Sequence, residues 1–183
     1  MSDRHYDFDQ LRKTMNENIL TEELSDSTST LVPSAFQTIV YGGLTIGIMD
    51  GLAASINAGI RGVTPDMVFH YVASALIGRE ASYNGGIPTV LMGILMHFCV
   101  AFGAATGYYI LSRLNPGILR YPFISGPLYG VFVYFFMGWL IVPVTAAPKL
   151  PFSVAGMLTG IFVHIICVGS PPAFIARRFA RAA

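Results

Sequence analysis

The sequence predicts an all-α membrane protein, in which four transmembrane helices form two tandem hairpins accompanied by a short outer amphipathic helix. Of the 183 residues, 54% are hydrophobic and 11% are charged, whereas roughly 25% of the residues in a typical soluble domain are charged. The mean hydropathy is +0.60. A chain this apolar is not disordered, and its low charge argues against a soluble enzyme. At this length we expect a single domain.

Four apolar stretches are each long enough to cross a bilayer, which takes about 20 helical residues. The predicted spans, numbered one to four in chain order, are residues 34–60, 87–111, 122–144 and 151–175. Proline or glycine stands near most of their ends, as expected where a helix starts or stops. Together they make up a transmembrane domain of residues 33–183, preceded by a polar tail of residues 1–32.

The tail differs sharply in charge from the transmembrane domain. Residues 1–30 hold seven acidic and three basic residues, whereas the rest of the chain holds three acidic and eight basic residues. The tail has no apolar core of the kind a signal peptide needs, so we expect a solvated tail on the cytoplasmic side. The transmembrane domain has no basic run with interleaved aromatic residues, which argues against nucleic-acid binding.

The basic residues also predict the orientation in the membrane. With four spans, both termini lie on the same side, and that side carries eight basic residues against three on the other. The eight are the three in the tail and Arg113, Arg120, Arg177, Arg178 and Arg181. The positive-inside rule therefore places both termini in the cytoplasm of a multi-pass protein.

The segment between spans one and two predicts an additional helix on the outer side. Thr64 is a suitable N-cap, Pro65 a suitable first helical residue and Asp66 a favourable acid in the first turn. Apolar residues follow at helical spacing until Gly78. We expect an interfacial amphipathic helix over residues 65–77.

An internal repeat relates the two halves of the chain. Tyr41-Gly42 in span one matches Tyr129-Gly130 in span three at an offset of 88 residues. The run from Gly93 to His97 in span two matches the run from Gly160 to His164 in span four at an offset of 67. This pattern predicts two hairpins related by a pseudo-two-fold axis along the membrane normal.

Small residues recur along the spans at intervals that predict close helix packing, because they let helix backbones approach each other in lipid. The candidate packing residues are Gly43, Gly47, Gly51, Gly93, Gly156 and Gly160. Packing among the spans of one chain is the simpler interpretation. A homo-oligomer formed through an additional face of small residues is the alternative.

Three ionisable residues, Asp50, His97 and His164, fall inside the predicted spans. An acid at the centre of a span costs about 2.5–3.5 kcal/mol on insertion scales, so it usually faces a partner or water. His97 lies about 14 Å and His164 about 18 Å into their spans at 1.5 Å per residue, both near the middle of a core about 30 Å thick. The sequence therefore predicts an intramembrane polar cluster of these three residues.

Several roles for the cluster remain open. The histidines could donate to backbone carbonyls or to Asp50 and fix the register of the helices. They could relay protons beside the carboxylate in a small transporter or channel-like protein. They could instead be the two axial ligands of a b-type haem. A zinc site is less well supported, because it would also need ligands such as Cys99, Cys167 or the outer His70.

The chain contains no Walker loop and no HExxH, GxSxG or CxxC motif, so the sequence predicts no enzyme, no metal site and, apart from the haem alternative, no cofactor. The expected partners are the lipid bilayer and, in a homo-oligomer or a membrane complex, other membrane subunits. A non-catalytic accessory or assembly subunit is the alternative to a proton, ion or solute transporter.

Several runs carry a resemblance to known proteins, over roughly residues 35–180. They are the run of residues 62–78, His97-Phe98 with Tyr108-Tyr109, and residues 160–164 with Arg177-Arg178. The chain resembles small uncharacterised bacterial inner-membrane proteins, and its layout is distantly similar to that of YagU-like proteins, which are linked to acid resistance. The resemblance implies a bacterial inner-membrane location and supplies no catalytic residues.

Overall fold

The computed structural model describes residues 10, 12–20, 31–149 and 151–182. Residues 12–20 form an exposed helix within the predicted tail, and residues 31–32 form a short strand. Apart from residue 10, the rest of the predicted acidic tail lies outside the described residues.

Four long apolar helices account for most of the described chain, which confirms the all-α membrane fold. They are span one (Gln37–Ile60), span two (Gly86–Leu114), span three (Pro122–Val144) and span four (Val154–Arg178). Span four begins three residues later than predicted because Ser153 is its N-cap, accepting a hydrogen bond from the Gly156 N–H at 3.2 Å. Span two extends three residues beyond the predicted end, to Leu114.

The two ends of the bundle carry different connections. The terminal face contains the start of span one, the end of span two, the start of span three and the end of span four. There the strand β1 (Leu31–Val32) pairs antiparallel with β2 (Arg181–Ala182), and a 3-10 turn (Pro116–Arg120) joins spans two and three. Both ends of the transmembrane domain therefore lie on one side. The opposite end, the loop face, carries the segments between spans one and two and between spans three and four.

The surface helix (Pro65–Ile77) occupies the loop face and has the predicted bounds. Gly78 follows it with a φ of +78°, a conformation that favours glycine. As predicted, Thr64 is the N-cap and Pro65 begins the helix, but the Thr64 side chain makes no capping hydrogen bond to a described backbone N–H. Its hydroxyl instead interacts with the Asp66 carboxylate and lowers the pKa of that carboxyl.

The surface helix packs directly on span two. A Cβ at Gly93 would come within 2.0 Å of the Phe69 carbonyl oxygen, so only a glycine permits this approach. A second short helix (Arg79–Asn84), which the sequence did not predict, leads into span two. The Ala146 N–H donates to the Ala75 carbonyl at 3.0 Å, which ties the surface helix to the segment after span three.

The predicted packing glycines differ in what they contact. Gly43 and Gly47 of span one lie under the rings of Phe102 and Phe98 of span two, while Gly160 lies under the Tyr134 ring. Gly51 faces the His97 ring, whose Nε2 would lie 3.2 Å from an added Cβ.

Gly156 does not fulfil its predicted packing role. It is exposed, and an added Cβ there would meet only Ser153 among the described residues within 4 Å. The reason is its place in the first turn of span four, next to its own N-cap and away from the other spans.

Spans three and four cross through glycines that lie outside the predicted set. A Cβ at Gly169 would lie 2.1 Å from the Gly126 carbonyl oxygen, and a Cβ at Gly130 would lie 2.4 Å from the His164 carbonyl oxygen. The two backbones therefore touch along this crossing, as small residues allow in membranes.

Candidate functional site

The three predicted polar residues line one cavity inside the bundle, with a volume of about 250 Å³. Asp50 comes from span one, His97 from span two and His164 from span four. The other lining residues are apolar: Ile46, Val72, Val100, Ala101, Ala104, Val133, Met137 and Val168. All four spans and the surface helix thus contribute to the cavity wall.

The depth of the cavity agrees with the expectation from the sequence. Asp50 and His164 are each ten residues and His97 eleven residues from the loop-face end of their spans, which is about 15–17 Å at 1.5 Å per residue. The cavity therefore lies near the middle of a hydrocarbon core about 30 Å thick.

His97 links two spans. Its Nε2 lies 2.9 Å from the Gly47 carbonyl oxygen of span one. Because a carbonyl only accepts, Nε2 must carry the proton, and Nδ1 of the neutral ring is left as an acceptor. Phe69 and Phe98 contact the ring edge-to-face, with centroids 6.2 and 5.9 Å away.

The His164 side chain forms its hydrogen bond within its own helix. Its Nδ1 donates to the Gly160 carbonyl oxygen at 2.9 Å, so Nε2 of the neutral ring is the acceptor. The Tyr134 ring packs edge-to-face at 5.3 Å. The two histidines therefore occupy the same cavity in opposite tautomers.

Asp50 has a different environment. Its half-buried carboxylate makes no hydrogen bond or ion pair with any residue in the described part of the chain, although it lies within electrostatic reach of Cys167. Asp50 and the histidines thus share a cavity without bonding directly to one another.

A wide helical turn in span four helps to shape the cavity. Residues His164–Gly169 form a π-helix, a geometry that is often found at functional sites. Pro171 and Pro172 follow and lack the N–H groups that would continue the backbone hydrogen bonds. The Ser170 hydroxyl also donates to the Ile165 carbonyl at 2.6 Å, which already accepts from the Ser170 backbone N–H. This Ser-Pro-Pro motif is visible in the sequence, but it was not among the predicted features.

The size of the cavity limits what it can hold. Its volume of about 250 Å³ lies below the roughly 300–1,000 Å³ of most small-molecule sites and corresponds to about eight waters at ~30 Å³ each. Within the described residues, no group of three or more His, Cys, Asp or Glu side chains is arranged to hold a metal ion. Of the other zinc-ligand candidates, Cys99 is exposed and His70 lies outside the cavity.

A second polar cluster surrounds His70 on the loop face, where His70 is 4% exposed. The Thr89 hydroxyl donates to the Ser82 carbonyl at 2.8 Å, so its oxygen accepts from His70 Nδ1 at 3.1 Å. The Ser82 hydroxyl donates to the His70 carbonyl, and the Tyr83 ring stacks on the imidazole at 5.6 Å. These bonds join the surface helix, the short helix and span two, so the cluster has a structural role.

Comparison with protein-family models, with curated proteins and with solved structures finds no match to this chain. A functional assignment must therefore be argued from the cavity and from the distribution of charge.

Proposed function

We propose that this chain is a multi-pass protein of a bacterial inner membrane that passes protons through the cavity of Asp50, His97 and His164. The observation that carries the proposal is the convergence of these three titratable side chains, from three different spans, on one cavity in the middle of the bundle.

The hydrogen bonds of the histidines suit a proton relay. Each ring uses one nitrogen to donate to a backbone carbonyl and leaves the other as an acceptor. A proton can therefore bind to His97 Nδ1 or His164 Nε2 without breaking the bond that holds the ring. Histidine is suited to this exchange because its ordinary pKa lies near neutrality.

Asp50 supplies the complementary charge. An intramembrane carboxylate is costly unless a partner or water stabilises it, and Asp50 has no hydrogen-bonding partner among the described residues. Water or a protonated histidine in the same cavity would stabilise it. The cavity has room for several waters, which could connect the three side chains.

The orientation and the repeat are part of the proposal. The pairing of β1 with β2 holds both ends of the transmembrane domain on the terminal face, and the excess of basic residues favours the cytoplasm for that face. Two pairs of positions at an offset of 67, His97 with His164 and Ala101 with Val168, line the same cavity. This arrangement supports the pseudo-two-fold relation between the hairpins.

The proposal is tested by proton flux into proteoliposomes that contain a trapped pH-sensitive dye, driven by a potassium-diffusion potential. We expect the wild-type protein to acidify the vesicles and Asp50→Asn to reduce the rate by about tenfold or more, because the relay loses its only carboxylate. Asp66→Asn is the matched control, since Asp66 is exposed on the surface helix and outside the cavity. Wild-type flux equal to that of empty vesicles would contradict the proposal, as would an unaffected Asp50→Asn variant.

The two alternatives predict different results. An accessory subunit would tolerate Asp50→Asn and lose its partner when residues 1–30 are removed. A haem protein would show α and β bands in a reduced-minus-oxidised spectrum. The geometry favours proton transfer over haem, because His97 Nε2 already donates to Gly47 and the cavity is about 250 Å³.

A further inference from the structure

A second, larger concavity of about 710 Å³ lies on the lipid-facing side of the bundle, between spans two and three. Its walls are exposed aliphatic and aromatic side chains, chiefly Ile110, Leu111 and Leu114 of span two and Ile124, Leu128 and Phe132 of span three. We call it the terminal groove, because it opens at the terminal face. It shares no lining residue with the polar cavity.

The hydroxyl groups of Tyr129, Ser125 and Tyr108 at the back of the terminal groove are all hydrogen-bonded within the bundle. Tyr129 donates its O–H to the Ala104 carbonyl at 2.7 Å. Ser125 donates to the Ile118 carbonyl at 3.0 Å, so the Tyr108 hydroxyl is the donor in its 2.9 Å bond to Ser125. With these groups satisfied inside the bundle, the groove offers an apolar surface that suits a hydrocarbon ligand.

The length of the groove favours a lipid acyl chain over a transmembrane helix as its ligand. The lining residues on this side run from Tyr121, the N-cap of span three, to Phe132, eleven steps or about 16 Å at 1.5 Å per residue. That is about half of a hydrocarbon core ~30 Å thick. The groove therefore matches the acyl region of one leaflet, whereas the transmembrane helix of a second copy would extend across both.

Two arginines adjoin, in the sequence, the lining residues at the terminal-face end of the groove. Arg113 lies between the lining residues Leu111 and Leu114, and Arg120 lies between Ile118 and Tyr121. Both arginines are exposed. Basic sites between transmembrane helices at the membrane surface bind anionic lipid headgroups.

We propose that the terminal groove binds one acyl chain of an anionic phospholipid from the leaflet at the terminal face, with its phosphate beside Arg113. This inference does not depend on proton transfer through the polar cavity. It assigns a ligand to a surface for which neither the sequence analysis nor the proposed function has a role.

Native mass spectrometry of the full-length, detergent-purified protein tests the proposal. Dioleoyl-phosphatidylglycerol and dioleoyl-phosphatidylcholine are added at equal concentrations. We expect a one-to-one complex with phosphatidylglycerol, and about fivefold weaker binding after Arg113→Gln through loss of one basic contact. Leu128→Trp, which fills the groove, should weaken the binding of both lipids. The controls are Lys149→Gln at the loop face and Leu95→Trp, a lipid-facing leucine outside the groove, and both should bind as the wild type does.

Three results would overturn the proposal. Equal binding of the two lipids that Arg113→Gln leaves unchanged would exclude recognition of the headgroup. Binding that survives Leu128→Trp would place the lipid elsewhere. A dimer mass that Leu128→Trp removes would assign the groove to a second copy of the chain. Arg113 is exposed, so its variant tests the proposal even where Leu128→Trp perturbs folding.

Discussion

At the scale of single residues, the two histidines of the polar cavity are held by different hydrogen bonds, one between spans and one within a span. Asp50, His97 and His164 were predictable as a cluster, because ionisable groups in apolar spans turn inward and their depths can be counted along the helices. Donation to backbone carbonyls was one of the predicted roles of the histidines, but the carbonyl that each ring binds could not be predicted. His97 donates to Gly47 of another span, whereas His164 donates to Gly160 of its own helix. This difference depends on rotamers and on the π-helical turn, which sequence spacing does not encode.

The two histidines should therefore differ in their contribution to stability. His97→Ala removes a bond between two spans and should lower the free energy of unfolding by about 0.6–1.7 kcal/mol, from the average to the maximum found for hydrogen bonds between membrane helices. His164→Ala removes a bond within one helix and should cost less. Unfolding in mixed detergent micelles, followed by circular dichroism, measures both. A loss for His164→Ala equal to or larger than that for His97→Ala would contradict this assignment of the bonds.

At the scale of elements, the spans and the surface helix were predictable because bilayer thickness sets the helix length, and because proline and glycine mark helix ends. The sequence did not specify which face of each helix packs against its neighbours. An added Cβ at Gly156 would meet no other described helix within 4 Å, whereas Gly126, Gly130 and Gly169 form the crossing of spans three and four. A glycine acquires its packing role from the partner opposite it, and the partner depends on the whole arrangement.

The packing of the surface helix on Gly93 can be tested by substitution. Gly93→Ala would place a methyl group against the Phe69 carbonyl and should destabilise the protein by about 1–3 kcal/mol, as overpacking does. Gly103→Ala is the matched control on the same helix, because it points into open space. There alanine should be neutral or stabilising by up to about 1 kcal/mol through its higher helix propensity.

The readouts for this pair are the unfolding transition and amide exchange over residues 65–77. Faster exchange there in Gly93→Ala alone would show that the surface helix has been displaced. Because Val72 of that helix lines the polar cavity, its displacement should also expose Asp50 to the loop face. Equal effects of the two substitutions would contradict the contact between Gly93 and Phe69.

At the scale of the whole molecule, charge and topology act together. The β1–β2 pairing holds the two ends of the transmembrane domain on the terminal face. The surface helix covers the loop face and is tied to the segment after span three by the bond from Ala146 to Ala75. The paired ends thus lie on the terminal-face side of the polar cavity, and the docked surface helix lies on its loop-face side. The charge bias was readable from the sequence, whereas the pairing of the ends, which depends on contacts between distant residues, was not.

The orientation of the molecule can be tested with two full-length fusions to alkaline phosphatase, which is active only outside the cytoplasm. One fusion carries the enzyme at the C-terminus, and the other carries it inserted after Lys149 on the loop face. With eight basic residues on the terminal side and three on the other, the positive-inside rule predicts an inactive C-terminal fusion and an active loop fusion. The reverse pattern, or activity of both fusions, would contradict the predicted orientation. In this orientation the surface helix lies on the outer side of the membrane, with Val72 between that side and the polar cavity.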